Sequence, residues 1–230
     1  MTLSIRNIIP ILKAQFQGDR EVAIIDSVSI DSRSLQNGEN TLFFALIGPN
    51  HDGHEYLSEL LEQGVFNFVV QQVPDALVGK ANFLIVENSL EALQTFAAKY
   101  RSNFTFPIIG ITGSNGKTIV KEWLNFLLSP DYNIIRSPKS YNSQVGVPLS
   151  VLGINEKHNL GIFEAGISTV DEMAHLEKII RPTIGILTNI GSAHDEGFHD
   201  AGEKIKEKLK LFPSVDVLIL NKNRTIEAFL

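Results

Sequence analysis

The second half of the chain is written as an alternation. Short apolar runs, "PIIGIT" (107–112), "YNIIR" (132–136), "LGIFEA" (160–165), "TIGILTNI" (183–190) and "VDVLIL" (215–220), are separated by stretches of helical spacing around 117–128, 146–152, 171–180 and 201–212. Strands of this kind alternating with helices imply a parallel sheet covered by helices on both faces. Ligands of such sheets bind just outside the carboxyl ends of the strands. The polar residues immediately after each run are therefore the ones to weigh.

The first half is an α/β unit of its own. "TLFFAL" (41–46) reads as a buried strand after the turn "QNGEN". "HEYLSELLEQG" follows with Tyr56, Leu57, Leu60 and Leu61 at helical spacing and Gly64 as a stop. "VFNFVV" and "NFLIV" read as strands, and "SLEALQTFAAKY" as a helix with Ser89 as its N-cap. The polar "RSNFTF" and Pro107 form a joint, which predicts two domains, 1–104 and 105–230. The fold class expected is α/β: a small N-terminal α/β domain followed by a phosphate-loop-type parallel-sheet domain.

Composition removes several function classes. A net charge of −6 offers no basic excess to neutralise nucleic-acid phosphates. The absence of cysteine excludes disulfides and thiolate metal sites. Apolar runs are only a few residues long, far short of a stable membrane insertion, and "MTLSIRNIIPILKAQF" lacks a signal-peptide core and cleavage site, so a cytoplasmic protein is the default expectation.

Three strand ends deliver chemistry-bearing residues. The first delivers "TGSNGKT", in which Gly113, Ser114, Asn115 and Gly116 can curl the backbone so that N–H groups point inward at the N-terminus of the next helix. Lys117 would supply a charge for β and γ phosphates, and Thr118 a hydroxyl for Mg²⁺. The spacing is unusual: five residues before Gly116 stands Ile111, and the nearest glycine is Gly113. A glycine-rich turn with a surface lysine is the plain alternative. The third strand delivers Glu164, either a metal ligand or a solvated strand end. The fourth delivers His194, which alone would be an ordinary loop histidine. Glu164 and His194 together with nucleotide phosphates make an oxygen-rich Mg²⁺ shell with one imidazole.

In combination these residues resemble the Mur ligase superfamily, ATP-dependent amide-forming enzymes of peptidoglycan synthesis, whose phosphate loop reads TG[ST]xGK[TS] with the tighter glycine spacing found here. "NSQVGVPLSVL" (142–152), "FEAGIS", "TNIGSAHDEGF" and the N-terminal "DSRSLQNGENTLFFALIGPNHDGHEYL" point to the branch that joins D-alanyl-D-alanine to a UDP-N-acetylmuramoyl tripeptide. The resemblance implies ATP and Mg²⁺ as cofactors and an acyl-phosphate intermediate. It implies that Lys117 and Thr118 hold phosphates and a first Mg²⁺, that Glu164 ligates Mg²⁺ and His194 a second Mg²⁺. It also implies that Asn142 lines the γ-phosphate side and that Ser32 touches the UDP part of the substrate, where a simple polar turn is the alternative. Three positions depart from the family pattern: Ser140 replaces a frequent asparagine, and His199 and Asp200 replace a glycine and serine. Family members have a longer central domain and a third domain, so the chain is expected to be the front part of such a ligase, inactive alone, whose parent may be fused to an alanine racemase. A diaminopimelate- or lysine-adding relative, a folylpolyglutamate synthase and a non-catalytic nucleotide-binding module are the competing readings.

"AGEKIKEKLKLF" raises a separate question. Ile205, Leu209 and Phe212 form an i, i+4, i+7 apolar stripe that Lys208 joins, with Lys206 and Lys210 pointing away and Lys204 to the other side. A lysine on a core-facing stripe is costly unless its charge is changed or paired. The resemblance implies that Lys208 is carbamylated by CO₂, becoming an anion that binds or orients around Mg²⁺. A snorkelling lysine is the alternative.

Overall fold

The computed structural model describes residues 2–35, 38–191, 197–221, 226 and 228–229. The chain forms two compact units, Met1–Lys99 and Tyr100–Leu230.

In the first unit, α1 (Ile5–Leu12), α2 (Leu57–Glu62) and most of α3 (Ser89–Arg101) accompany a five-stranded sheet. Its strands are β1 (Gln15–Gln17), β2 (Ser27–Ser29), β3 (Thr41–Phe44), β4 (Asn67–Val70) and β5 (Asn82–Ile85), in the order β1-β5-β4-β3-β2. Only the β1–β5 pairing is antiparallel. The core is aromatic: Phe68 stacks on Phe83 and meets Phe43 edge-on, with Leu57 and Leu60 of α2 closing over them. Two asparagines are buried among these apolar side chains because each satisfies the other: Asn82 Nδ2 donates to Asn67 Oδ1 at 2.8 Å, and Asn67 Nδ2 to the Glu39 carbonyl at 3.0 Å. One expectation is corrected here. The cap of α3 is Asn88, whose Oδ1 accepts the N–H groups of Leu90 and Glu91, and not Ser89, which is already helical. The aspartate-serine turn at 31–32 is also fixed locally: Asp31 accepts from the Arg33 N–H and pairs with its guanidinium at 2.8 Å, which holds the Asp31 carboxyl down at about 2.

The second unit carries a purely parallel sheet. Its strands are β6 (Ile108–Thr112), β7 (Ile134–Arg136), β8 (Leu160–Glu164), β9 (Ile184–Leu187) and β10 (Val217–Leu220), in the order β7-β8-β6-β9-β10. The connecting helices are α4 (Lys117–Leu128), α5 (Gly146–Leu152), α6 (Glu172–Ile180) and α7 (Ala201–Leu209). The chain leaves central β6 toward β7 and β8 on one side, then crosses to β9 and β10 on the other. That reversal opens a crevice at the carboxyl end of β6, where open α/β sheets bind ligands. The register sets what meets there: Ile111 is level with Glu164 on one neighbour, and Thr112 with Leu187 on the other. Valine, leucine and isoleucine fill the strands, and Val120, Leu124 and Leu128 of α4 pack on them. Arg101 closes the entry to this unit with its guanidinium on the carbonyls of Ile180 and Phe104; burial lowers its pKa to about 10.

Candidate functional site

The site grows from the end of β6. Gly113 has φ +145 and Gly116 φ +81, conformations open to glycine and strained for other residues. Between them the loop is stapled to the end of β9. The Ser114 N–H donates to the Asn189 carbonyl at 2.8 Å and the Asn115 N–H to Asn189 Oδ1 at 2.9 Å. The Ser114 hydroxyl donates to the Gly191 carbonyl and accepts the Gly191 N–H, at 3.1 and 2.9 Å. Thr188 Oγ1 donates to the Asn115 carbonyl at 2.6 Å. The loop then opens into α4, whose first N–H groups have no helical partner and whose dipole favours an anion at that end.

Lys117, Thr118 and Glu164 meet at this opening. Lys117 Nζ lies back over the loop, 2.8 Å from the Gly113 carbonyl. Burial pushes its pKa below the ordinary value while Glu164 acts in the opposite sense. Thr118 Oγ1 donates to Glu164 Oε2 at 3.0 Å, and the Ser140 hydroxyl stands 3.5 Å from Thr118 Oγ1. Glu164 is fully buried at the end of β8; it is not the solvated strand end that the sequence left open. Its backbone N–H donates to the Ser137 hydroxyl. Asn142 is placed beside the same strand end: its carbonyl accepts the Gly166 N–H at 2.8 Å.

These groups fit Mg²⁺. They are hard oxygen donors, and Glu164 turns its Oε2 to the Thr118 hydroxyl. The 3.0 Å between Thr118 Oγ1 and Glu164 Oε2 is the spacing of neighbouring octahedral ligands, which sit at about 2.1 Å from Mg²⁺. Among the described residues no three His, Asp or Glu side chains form a ready-made cage. Mg²⁺ fits that pattern, since it is commonly held by one or two carboxylates with phosphates and waters completing its shell.

The sequence reading missed Lys121. It is fully buried, with Nζ 2.9 Å from Glu164 Oε1 and donating to the carbonyls of Ser137 and Lys139. The 2.9 Å contact is an ion pair by distance, although the same oxygen lacks a hydrogen bond by angle. The ammonium thus has hydrogen bonds to two carbonyls and a charge contact with the carboxylate. Lys121 shares the inward face of α4 with Val120, Leu124 and Leu128, but the apolar Ile119, Trp123, Phe126 and Leu127 on the outward face mask that signal in the sequence.

On α7, Lys208 is 1% exposed. Burial, reinforced by Lys117 and Lys204, lowers its pKa from 10.5 to about 8. Two details of the stripe are corrected. Lys204, expected to one side, is 1% exposed with Nζ 2.5 Å from the Gly191 carbonyl, and Glu207 is buried as well, accepting the Met173 N–H and pairing with Lys210 at 2.6 Å. Leu209 is only half-buried, whereas Lys206 is exposed. Ser32 lies in a short 3₁₀ turn of the first unit, half-buried. His194 lies outside the described residues. No helix among the described residues is long and apolar enough to cross a membrane.

Known proteins resemble the chain in sequence and in fold. The chain is 38% identical over 170 residues to the UDP-N-acetylmuramoyl-tripeptide–D-alanyl-D-alanine ligase of a Synechocystis strain, covering 74% of this chain and 37% of the relative. It is 33% identical over 199 residues to the ligase of the same name from Rickettsia prowazekii, covering 85% of this chain and 43% of the relative. The chain thus spans less than half the length of these curated relatives. The Thermotoga maritima MurF ligase solved in complex with ADP superposes with a TM-score of 0.78 at 26% identity, over 88% of this chain and 48% of that one. Residues 111–230 match the Mur ligase middle domain. With that match running over more than half of its length, the chain belongs to the Mur ligase family.

Proposed function

We propose that this chain carries the nucleotide site and the UDP-substrate unit of an ATP-dependent ligase that joins D-alanyl-D-alanine to a UDP-N-acetylmuramoyl tripeptide in peptidoglycan synthesis. The observation that carries the reading is the meeting of Lys117, Thr118 and Glu164 at the N-terminus of α4. The names of the relatives support the substrates. In this reading the peptide carboxylate attacks the γ-phosphorus of ATP, ADP leaves, and an acyl phosphate forms. The amine of D-alanyl-D-alanine then attacks the acyl carbon, loses its proton, and phosphate leaves.

Such a transfer needs positioning and charge neutralisation more than covalent help. The amides at the start of α4, beyond the two that Asn189 takes, receive the phosphates. Lys117 exchanges the Gly113 carbonyl for a β- or γ-phosphate oxygen. Thr118 and Glu164 would hold Mg²⁺, which supplies Lewis-acid charge neutralisation when bound. Asn142 lines the γ-phosphate side. His194 is assigned to a second Mg²⁺, and Ser32 to the UDP part of the substrate. Lys208 is assigned as the carbamate. Its lowered pKa supports this, because only the neutral amine adds CO₂, and the resulting anion would sit well beside Lys117 and Lys204. ATP supply places the reaction in the cytoplasm. Fusion of the parent to an alanine racemase stands as an expectation of the resemblance alone.

Two assays test this. Titration calorimetry of the 230-residue chain with ATP should give binding that strengthens with Mg²⁺ and is lost in Glu164→Gln. An enzyme completed to the length of the relatives should release phosphate with UDP-N-acetylmuramoyl tripeptide and D-alanyl-D-alanine. It should not do so with the dipeptide precursor and diaminopimelate or lysine; turnover with that pair instead would overturn the substrate assignment.

A further inference from the structure

Glu164 presents two unlike oxygens. Oε2 faces the phosphate loop and takes the Thr118 hydroxyl at 3.0 Å. Oε1 faces the interior, 2.9 Å from Lys121 Nζ, and both side chains are fully buried. We propose that Lys121 is a specificity-determining residue for the divalent cation: by occupying the Oε1 side it makes Glu164 a one-oxygen ligand, which suits Mg²⁺ and disfavours Ca²⁺. The proposal rests on the nucleotide-site reading above.

The ammonium is fixed from several directions. It donates to the Ser137 carbonyl at 2.8 Å and to the Lys139 carbonyl, and Glu122 Oε1 approaches it at 3.2 Å. Ser137 is itself fully buried, and its hydroxyl accepts the Glu164 N–H, so lysine, strand end and carboxylate form one closed unit. Lys139 has φ +49, the left-handed region that a lysine adopts at a cost, in the segment whose carbonyl turns onto Nζ. An ammonium has three donors and no acceptor, so once two are committed to carbonyls it has little freedom to leave.

A cation approaching Oε1 would meet this ammonium at close range inside the protein, where like charges repel strongly. Only Oε2 remains for a metal. Mg²⁺ accepts that arrangement, because it takes six ligands at short distance and keeps several waters. Ca²⁺ takes six to eight ligands at longer distance and favours carboxylates that give both oxygens. Lys121 also holds the segment that leads from Ser137 to Ser140 and Asn142, so the same contact aligns that rim with the carboxylate.

The test is binding of the non-hydrolysable analogue AMPPNP by titration calorimetry, with Mg²⁺ or Ca²⁺ at equal concentration, in wild type, Lys121→Met and Lys121→Arg. Wild type should bind roughly tenfold or more tightly with Mg²⁺ than with Ca²⁺. Lys121→Met should bring that ratio close to one, and Lys121→Arg, which keeps a buried cation, should restore most of it. A lysine that merely braces the fold would weaken binding with both cations by one factor and leave the ratio where it was; that result overturns the proposal. If Lys121→Met does not fold, wild type decides: equal affinity with the two cations overturns the proposal while leaving the nucleotide site standing. Wild-type binding that ignores divalent cations altogether would instead remove the site reading, and this inference with it.

Discussion

Gly113→Ala should be among the most damaging single-methyl additions in the second unit. A Cβ at this position would lie 2.0 Å from Thr188 Oγ1, 3.0 Å from the Asn189 carbonyl oxygen and 3.1 Å from its nitrogen. The two backbone contacts cannot move without dragging the end of β9. The hydroxyl can move, but only by giving up the one hydrogen it shares between the carbonyls of Asn115 at 2.6 Å and Thr112 at 3.3 Å. One hydrogen bond at about 1 kcal/mol, added to about 1–3 kcal/mol for a non-glycine residue held in a sparsely populated backbone region, gives about 2 to 4 kcal/mol. At 2–4 °C per kcal/mol for chains of this size, the expected shift is about 10 °C in the midpoint of the second unit. Scanning calorimetry reads it directly. Gly116→Ala is the internal control: its φ is +81, but nothing lies within 4 Å of the added methyl, so it should cost only the conformational part, about 1 kcal/mol. A double variant, Gly113→Ala with Thr188→Ala, should cost less than the sum of its parts, because the worst contact is then gone. If Gly113→Ala proves no worse than Gly116→Ala, the stapled geometry of the loop is wrong.

Four other outcomes follow from the same contacts. Lys117→Ala should weaken ATP·Mg²⁺ binding by about 1.5–3 kcal/mol with the fold intact, read by titration calorimetry; unchanged affinity would reduce the loop to a turn. Lys208 is protonated both folded and unfolded below about pH 8, and between there and 10.5 only the unfolded chain keeps the proton, so stability should rise across that window by at most about 3 kcal/mol. Urea titrations at several pH values check this, and Lys208→Met should flatten the rise. With ¹³C-bicarbonate, a carbamate resonance should appear in wild type and in Lys206→Ala but not in Lys208→Ala, and the completed enzyme's Lys208→Ala activity should recover partly with short carboxylic acids. In the first unit, Asn67→Val should destabilise by about 1–3 kcal/mol, because Asn82 Nδ2 is left without its acceptor; a smaller loss in denaturant melts would mean that the side chain turns elsewhere.

The sheet of the second unit was legible because its strands are buried on parallel neighbours and so read as continuous apolar runs. The limits of α4 and α5 fell at 117–128 and 146–152, as the spacing suggested. Periodicity located α4 but did not orient it. Ile119, Trp123, Phe126 and Leu127 point outward, while a lysine, Lys121, points in. Hydropathy alone assigns those positions the wrong way round, since a buried cation is tolerated only where carbonyls and a carboxylate converge on it, and those partners lie 16 to 43 residues away. The same reason hid Lys204, whose partner is a carbonyl at Gly191. The cap of α3 was displaced by one residue because Asn88 and Ser89 are both capping types and only geometry chooses between them. Lys117, Thr118 and Glu164 could be picked out because each ends a strand or follows the loop after one. Asn189 could not, because half of its part is played through a backbone carbonyl that any residue has, and its side chain meets an amide far away in the sequence.

Asn189 gives the phosphate loop a property that its own seven letters do not contain. A free loop would sample many shapes, and a nucleotide would capture only the competent fraction; at one part in a hundred, affinity would fall about a hundredfold. Here two successive loop amides are already spoken for by the neighbouring strand end, through one residue's main chain and side chain together. "TGSNGKT" transplanted into another strand–helix junction would therefore carry its charges but not its shape. The transferable part is a pair of segments, 112–118 and 188–191, which must move together for the recipient to inherit a binding site.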